Sequence, residues 1–301
     1  EHIELAGIHS GDSACSLPPH NLGAEVQEEI SRQARALALE LNVVGLMNAQ
    51  FAVKDGLVYL IEVNPRASRT VPFVSKAIAV PLAKEATLLM TGQKLDLNRV
   101  PTRPVTPFSV KETVFPFNKF PGSDVTLGPE MLSTGEVMGR GETFAEAYLK
   151  SQIAASNGLR RQGHVFIGVR DSDKQQMVPV ARSLQALGYH LLATPGTLQV
   201  LQAAGIPDVV GASLDSDAPN SLFQYMQDGR LTLVINTTKP RKRRIESNHL
   251  RRLVLTHNIP YVTTVEAARA LERALTDLGR EGRFSYTPLL RYHEVSSPQD
   301  N

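Results

Sequence analysis

From His164 onward, short apolar runs alternate with longer amphipathic stretches, and few folds accommodate that order. His164–Val169 reads as a strand, Lys174–Leu187 as a helix closed by Gly188, and Tyr189–Ala193 as a strand. Leu198–Ala204 reads as a short helix ending at Gly205, Ser221–Gln227 as a helix and Leu231–Asn236 as a strand. Glu246–Thr256 reads as a helix, Tyr261–Thr263 as a short strand and Glu266–Leu278 as a helix. Strands separated by helices pair in parallel, and the sheet is then covered on both faces. Ligands of such sheets sit beyond the carboxyl ends of the strands. Thr194-Pro-Gly-Thr197 follows one of these strands and opens a helix, and Asn236-Thr237-Thr238 follows another. Hydroxyls and backbone N–H groups at a helix start suit a phosphate, and Lys174 adds charge. The competing reading is ordinary N-capping by Thr.

The first half has a different rhythm. Glu1–Ala6 alternates His2 and Glu4 with Ile3 and Leu5, as a half-buried strand does. Val26, Ile30, Ala34, Leu37 and Leu41 form one stripe of a helix over Ala24–Leu41. Leu46–Lys54 and Leu57–Val63 flank Asp55-Gly56, a strong hairpin signal, and Pro65 stops the second strand. A helix is expected from Pro72 to Thr91, capped by Gly92. Five prolines from Pro101 to Pro121 favour extended segments and turns, Phe144–Ile153 reads as a helix, and Ser156-Asn157-Gly158 as a boundary. The division expected is 1–95, 96–156 and 157–301, with the middle segment packed on the first.

Lys and Arg number 32 against 30 Asp and Glu, so a net charge of +2 gives no general reason to expect nucleic acid or an anionic membrane as partner. The five basic residues within Lys239–Arg244 read as a solvated loop or an effector-phosphate neighbour. No run approaches the ~18 apolar residues of a membrane span. Cys15 is the only cysteine, which excludes an internal disulfide, fits a reducing cytoplasmic setting and reads as a buried, inert thiol. Opening at Glu1 rather than methionine, the chain reads as a piece of a longer protein.

The hairpin carries polar residues where sheet propensity prefers apolar ones. Glu62 and Asn64 share one face of the second strand, and Asn48 and Gln50 one face of the first. A carboxylate with amide oxygens suits Mg²⁺, a hard cation that keeps phosphate or water in its remaining positions. Arg66 and Arg69 follow, where phosphate oxygens would sit. A solvent-facing polar strip is the alternative. The register discriminates. A regular two-residue turn at Asp55-Gly56 pairs Gln50 with Ile61 and sends Gln50 and Glu62 to opposite faces. A shared metal therefore requires a bulge or a three-residue loop.

The run Gly45-Leu-Met-Asn-Ala-Gln50-Phe with Tyr59-Leu-Ile-Glu62-Val-Asn64-Pro-Arg66-Ala-Ser-Arg69 resembles the C-terminal end of an ATP-grasp domain, specifically the carbamoyl-phosphate synthetase large subunit. Glu1-His-Ile-Glu4, Gly7-Ile-His9-Ser10-Gly-Asp12-Ser, Val71-Pro-Phe-Val-Ser-Lys76, Pro116–Gly122 and Gly128–Met138 resemble the same family. The fold class implied is α/β: an α+β ATP-grasp C-terminal lobe, then a Rossmann-like parallel-sheet domain similar to methylglyoxal synthase. The resemblance implies that Gln50, Glu62 and Asn64 hold Mg²⁺ or Mn²⁺, that Gly7, Ile8, His9 and Ser10 contact ATP together with Gln50 and Glu62, and that Arg66 and Arg69 lie near the transferred phosphate. K⁺ is a further cofactor of the family.

It also implies that Glu4, Asp12, Glu112 and Thr264 belong to an ornithine pocket. Lys174, Thr194, Thr197, Asn236, Thr237 and Thr238 would bind a nucleotide effector, UMP or IMP. The implied activity is ATP-dependent phosphorylation of carbamate to carbamoyl phosphate, for pyrimidine and arginine biosynthesis. A glutaminase small subunit would be partner to the full-length, oligomeric large chain. The aspartate base that a lyase would need is replaced by Lys239-Pro-Arg-Lys-Arg-Arg-Ile-Glu246, which favours binding over lyase chemistry. The family's glycine-rich loop and lysine lie upstream of this region, so the chain alone is expected to be inactive. The alternatives are a non-catalytic nucleotide-binding module and a ligase of biotin-carboxylase type.

Overall fold

The computed structural model describes residues 1–4, 6–96, 107–116, 119, 127–155, 159–160, 162–215, 218, 220–237, 250, 253–254, 257, 259–281 and 286–289. Thr238, the basic segment and most of the expected Glu246–Thr256 helix lie outside them. The chain forms two compact units. One comprises Glu1, Ser16–Thr106 and Ser285–Asn301; the other comprises His2–Cys15 and Pro107–Phe284.

The first unit holds α1 (Ala24–Glu40), the antiparallel hairpin β2 (Asn48–Lys54) and β3 (Leu57–Asn64), α2 (Thr70–Ile78) and α3 (Leu82–Met90); β1 (Cys15–Leu17) runs into it. The single helix expected over Pro72–Thr91 is two. Ala79 adopts a left-handed φ of 60°, and Pro81 lacks an N–H and biases the residue before it away from helix. This unit buries little. No residue of α1 is buried, and Leu39, Leu57, Tyr59, Leu60, Ile61 and Met90 are exposed. A two-stranded hairpin is marginal by itself in water, and here β3 packs against α1.

In the second unit, the expected strand over Glu1–Ala6 is reduced to an isolated bridge between His2 and Cys15, with Ile3 buried. A 3₁₀ turn over Ser10–Asp12 follows. β4 (Phe108–Val114) pairs antiparallel with β5 (Gly135–Gly141), and α4 (Phe144–Ala154) lies against both. α4 opens with a Thr143 cap whose hydroxyl accepts from the Glu146 N–H.

The expected parallel sheet is present. Its strands are β6 (His164–Ile167), β7 (His190–Ala193), β8 (Val210–Gly211), β9 (Leu231–Ile235) and β10 (Tyr261–Val262), in the order β10-β9-β6-β7-β8. Its helices are α5 (Lys174–Ala186), α6 (Pro195–Ala203), α7 (Leu222–Gln227) and α8 (Val265–Glu281). Alternation along β6 serves both faces. Val165 and Ile167 join Met177 and Leu184 of α5, Leu271 of α8 and Leu149 of α4, while Phe166 joins Leu222 and Met226 of α7. The segment 107–154 thus shares its core with the parallel sheet, a different grouping from the division read in the sequence.

Candidate functional site

The hairpin resolves the register question. Asp55 and Gly56 take φ of 52° and 77°, and Lys54 pairs with Leu57 across a two-residue turn. That turn alone would misplace Gln50. The register then shifts between Gln50 and Phe51, so that Phe51 pairs with Leu60 and Gln50 with Glu62, and Ile61 is skipped. The bulge puts Gln50, Glu62, Asn48 and Asn64 on one face as two facing pairs. Asn64 Nδ2 donates to Glu62 Oε1 at 3.1 Å, and Asn48 Nδ2 to Ser68 Oγ at 3.4 Å. Each amide therefore keeps its carbonyl oxygen for another partner. Among the described residues no group of three or more His, Cys, Asp or Glu side chains is placed to hold a metal ion. A cation here would be held by one carboxylate and amide oxygens, the donor set of a hard ion that shares its shell with phosphate. Arg66 and Arg69 stand exposed just beyond β3.

Gly7, Ile8, His9 and Ser10 fall in the second unit. There, the His9 N–H donates to Gly128 O at 2.7 Å, and the buried Lys111 donates through Nζ to Ser10 O at 3.3 Å. His9 Nδ1 accepts from the Gly11 N–H at 3.0 Å, which caps the 3₁₀ turn. That nitrogen is thus engaged in structure rather than in acid-base work.

The acids expected to form an amine pocket divide. Asp12 is 1% exposed, and its two oxygens accept from the N–H groups of Leu132 and Ser133 at 2.8 and 2.9 Å, a bracket between two loops. Thr264 Oγ1 accepts from the Ala267 N–H at the start of α8, the role of a helix cap. Glu4 and Glu112 do come together. Glu4 Oε2 accepts from the Ala14 N–H at 2.7 Å, Glu112 Oε1 from the Thr113 N–H at 3.0 Å, and Glu112 Oε2 from Gln152 Nε2. Burial raises the pKa of both carboxyls, and Glu112 raises that of Glu4 further. Tyr148 is pushed well up by burial, then by Glu112 and Glu4. The sequence reading missed Lys111, Tyr148 and Gln152. Tyr148 and Gln152, four apart on α4, share a helix face and were legible as a pair.

Two nearby carboxyls held above the ordinary range keep a proton near neutrality. The folded chain then binds more protons than the unfolded chain, so this pair costs stability as pH rises from the ordinary carboxylate range through neutrality. Thermal midpoints measured across that range should fall more steeply in the native chain than in Glu112→Gln. Parallel curves would contradict a shared proton.

The remaining residues converge at the carboxyl ends of neighbouring parallel strands. The chain runs from β6 outward through β7 and β8, then returns to β9 on the other side of β6. That reversal is where open parallel sheets bind ligands. Thr194 follows β7, and Asn236 and Thr237 follow β9; Thr197, Asn236 and Thr237 are buried. Thr194 makes no side-chain cap to α6; its hydroxyl donates to Thr197 Oγ1 at 3.1 Å. Plain capping therefore does not account for it. Lys174 Nζ lies over Gly196, where a Cβ would fall 2.6 Å from it.

Residues 3–98 match the family model described as carbamoyl-phosphate synthase L chain, ATP binding domain, and residues 176–263 match that of the MGS-like domain. The chain is 50% identical over 291 residues to the carbamoyl phosphate synthase large chain of Pasteurella multocida, a match covering 96% of this chain and 27% of that protein. It is 49% identical over 284 residues to the large chain of Ralstonia nicotianae, covering 92% and 26%. It is 45% identical over 286 residues to a protein of Methanocaldococcus jannaschii named carbamoyl phosphate synthase large chain, C-terminal section, covering 91% and 46%. The chain thus spans about a quarter of the two bacterial relatives and under half of the archaeal one. Among the described residues no helix is long and apolar enough to cross a membrane.

Proposed function

From a chain that carries a carbamoyl-phosphate synthase L chain ATP-binding domain and an MGS-like domain, we propose the C-terminal portion of a glutamine-hydrolysing synthase that phosphorylates carbamate with ATP. Segment 1–95 contributes part of the ATP-grasp domain, 96–156 connects, and 157–301 regulates. The observation that carries this reading is the bulge after Gln50, which sets Gln50 opposite Glu62. Without it the hairpin's polar residues would be split between two faces.

Phosphoryl transfer asks for position and charge neutralisation, not for a nucleophilic side chain. Mg²⁺ or Mn²⁺, when bound, neutralises charge on the phosphate oxygens. Glu62 supplies the carboxylate of its site, Gln50 and Asn64 supply amide oxygens, and the Asn64 amide fixes the orientation of Glu62 through the bond at 3.1 Å. Arg66 and Arg69 supply bidentate donors for phosphate. Gly7, Ile8, His9 and Ser10 are nucleotide contacts of the proposal. K⁺ is a further ion of the proposal.

In the second unit, Lys174, Thr194, Thr197, Asn236 and Thr237, with Thr238 outside the described residues, bind the phosphate of UMP or IMP. The acid pair Glu4 and Glu112, with Asp12 and Thr264 as supports, receives an amine such as ornithine. A small glutaminase subunit and further copies complete the full-length enzyme, in the cytoplasm. The chain by itself is a nucleotide-binding module: its first unit buries little, while its second has a full core. Calorimetric titration should detect UMP or IMP, while ATP-dependent carbamoyl phosphate formation by the isolated chain is negligible. Robust turnover would overturn the binding-module reading, and absence of nucleotide binding would overturn the regulatory one.

A further inference from the structure

Arg170-Asp-Ser-Asp-Lys174 leaves the carboxyl end of β6 and enters α5 with two cations and two acids. The acids hold the cations in different ways. Arg170 Nε meets Asp173 Oδ2 at 2.8 Å, and the Asp173 side chain is 4% exposed. Ser172 Oγ also donates to Asp173, which bonds Thr237 as well. Burial raises the pKa of Asp173, but these bonds outweigh it and leave the carboxyl below its ordinary value. This pair is part of the framework, because breaking a buried pair strands a charge.

Lys174 Nζ meets Asp171 Oδ1 at 2.6 Å, and here the acid is 95% exposed. The bond to Lys174 holds Asp171 below its ordinary value. The Lys174 side chain is 18% exposed, but its partner acid stands in water, so the pair stabilises the fold little and Asp171 exchanges it for water at small cost. The same Lys174 ammonium overlies Gly196 at the start of α6, beside Thr194 and Thr197. One cation is therefore locked and the other carries an exchangeable partner, at the place where an incoming phosphate would need it.

We infer that Asp171 is a built-in competitor for Lys174, a carboxylate that occupies the ammonium in the free protein and is displaced by a phosphate monoester. The inference rests on the reading of this end of the sheet as an anion site. A doubly charged phosphate displaces a single carboxylate more readily than a singly charged anion does. Asp171 thus sets the threshold concentration at which phosphate binds.

The test uses the full 301-residue chain, with inorganic phosphate and UMP as probes. Their affinities for the native chain and for Asp171→Asn are measured by calorimetry, and the titration of the Asp171 carboxyl carbon is followed by NMR with and without saturating phosphate. Asp171→Asn should bind both probes roughly threefold tighter, with the gain shrinking as salt is raised. The Asp171 carboxyl should titrate closer to its ordinary range in the saturated native chain. Equal or weaker binding by Asp171→Asn, or an Asp171 titration indifferent to phosphate, would overturn the competitor role. Binding by Asp171→Asn alone would support it. Binding of neither probe to either protein would refute the anion site itself, and the role of Asp171 with it.

Discussion

Glu62→Gln in the full-length large chain, supplied with ammonia, should lower carbamoyl phosphate synthesis by on the order of a hundredfold or more. The substitution keeps volume and one acceptor oxygen, and removes only the charge. Glu62 is exposed on β3 and accepts a side-chain bond from Asn64 of the same strand, so folding has little to lose. Glu62 and Gln50 face one another only because of the bulge, and Glu62 is the one carboxylate of that proposed ligand set. Gln50→Ala should cost less, because an amide oxygen is replaceable by water. A rate near that of the native enzyme would return the hairpin to a solvent-facing polar strip.

The second large effect is on stability. Gly139 of β5 lies directly beneath α4, where a Cβ would fall 2.1 Å from Ala147 O and 2.4 Å from the Ser151 nitrogen. Both are backbone atoms of a helix and cannot turn aside. Gly139→Ala should therefore cost about 3 kcal/mol or more, lowering the thermal midpoint by roughly 6–12 °C. The same close approach brings Gln152 of α4 to Glu112 of β4. Lifting α4 should consequently also weaken the pH dependence of stability assigned to the Glu4 and Glu112 pair. Calorimetry at two pH values reads both effects, and an unchanged midpoint would contradict the packing described.

The parallel sheet was legible because its information is local: apolar runs with alternating helices admit few arrangements. Its ligand end was legible too, since Thr194 and Asn236 fall where strands give way to loops. The bulge was legible only as a condition. Sequence spacing showed that Gln50 and Glu62 could not share a face across a two-residue turn, but not where the extra residue would sit. The break at Ala79 and Pro81 was present in the sequence and was outweighed by the apolar periodicity on either side. Tertiary facts were the least accessible. That Asp12 brackets the loop at Leu132 and Ser133 depends on residues 120 and 121 positions away. The bond from Lys111 to Ser10 spans 101 positions and that from Gln152 to Glu112 spans 40, so local pattern pairs Tyr148 with Gln152 but not with the acids they meet. Nor does periodicity reveal which cation an acid holds firmly: Asp171 and Asp173 look alike in sequence and differ in exposure by 95% against 4%.

The hairpin face that carries Gln50, Glu62 and Asn64 is the proposed seat of the metal. Its most direct test is ATP formation from ADP and carbamoyl phosphate by the full-length large chain, the reverse of the proposed step, in native and Glu62→Gln proteins over a range of Mg²⁺ and Mn²⁺ concentrations. Metal-dependent ATP formation should fall by on the order of a hundredfold in Glu62→Gln, while UMP or IMP binding to the MGS-like domain is unchanged. ATP formation by Glu62→Gln at the native rate and with the native metal dependence would contradict it.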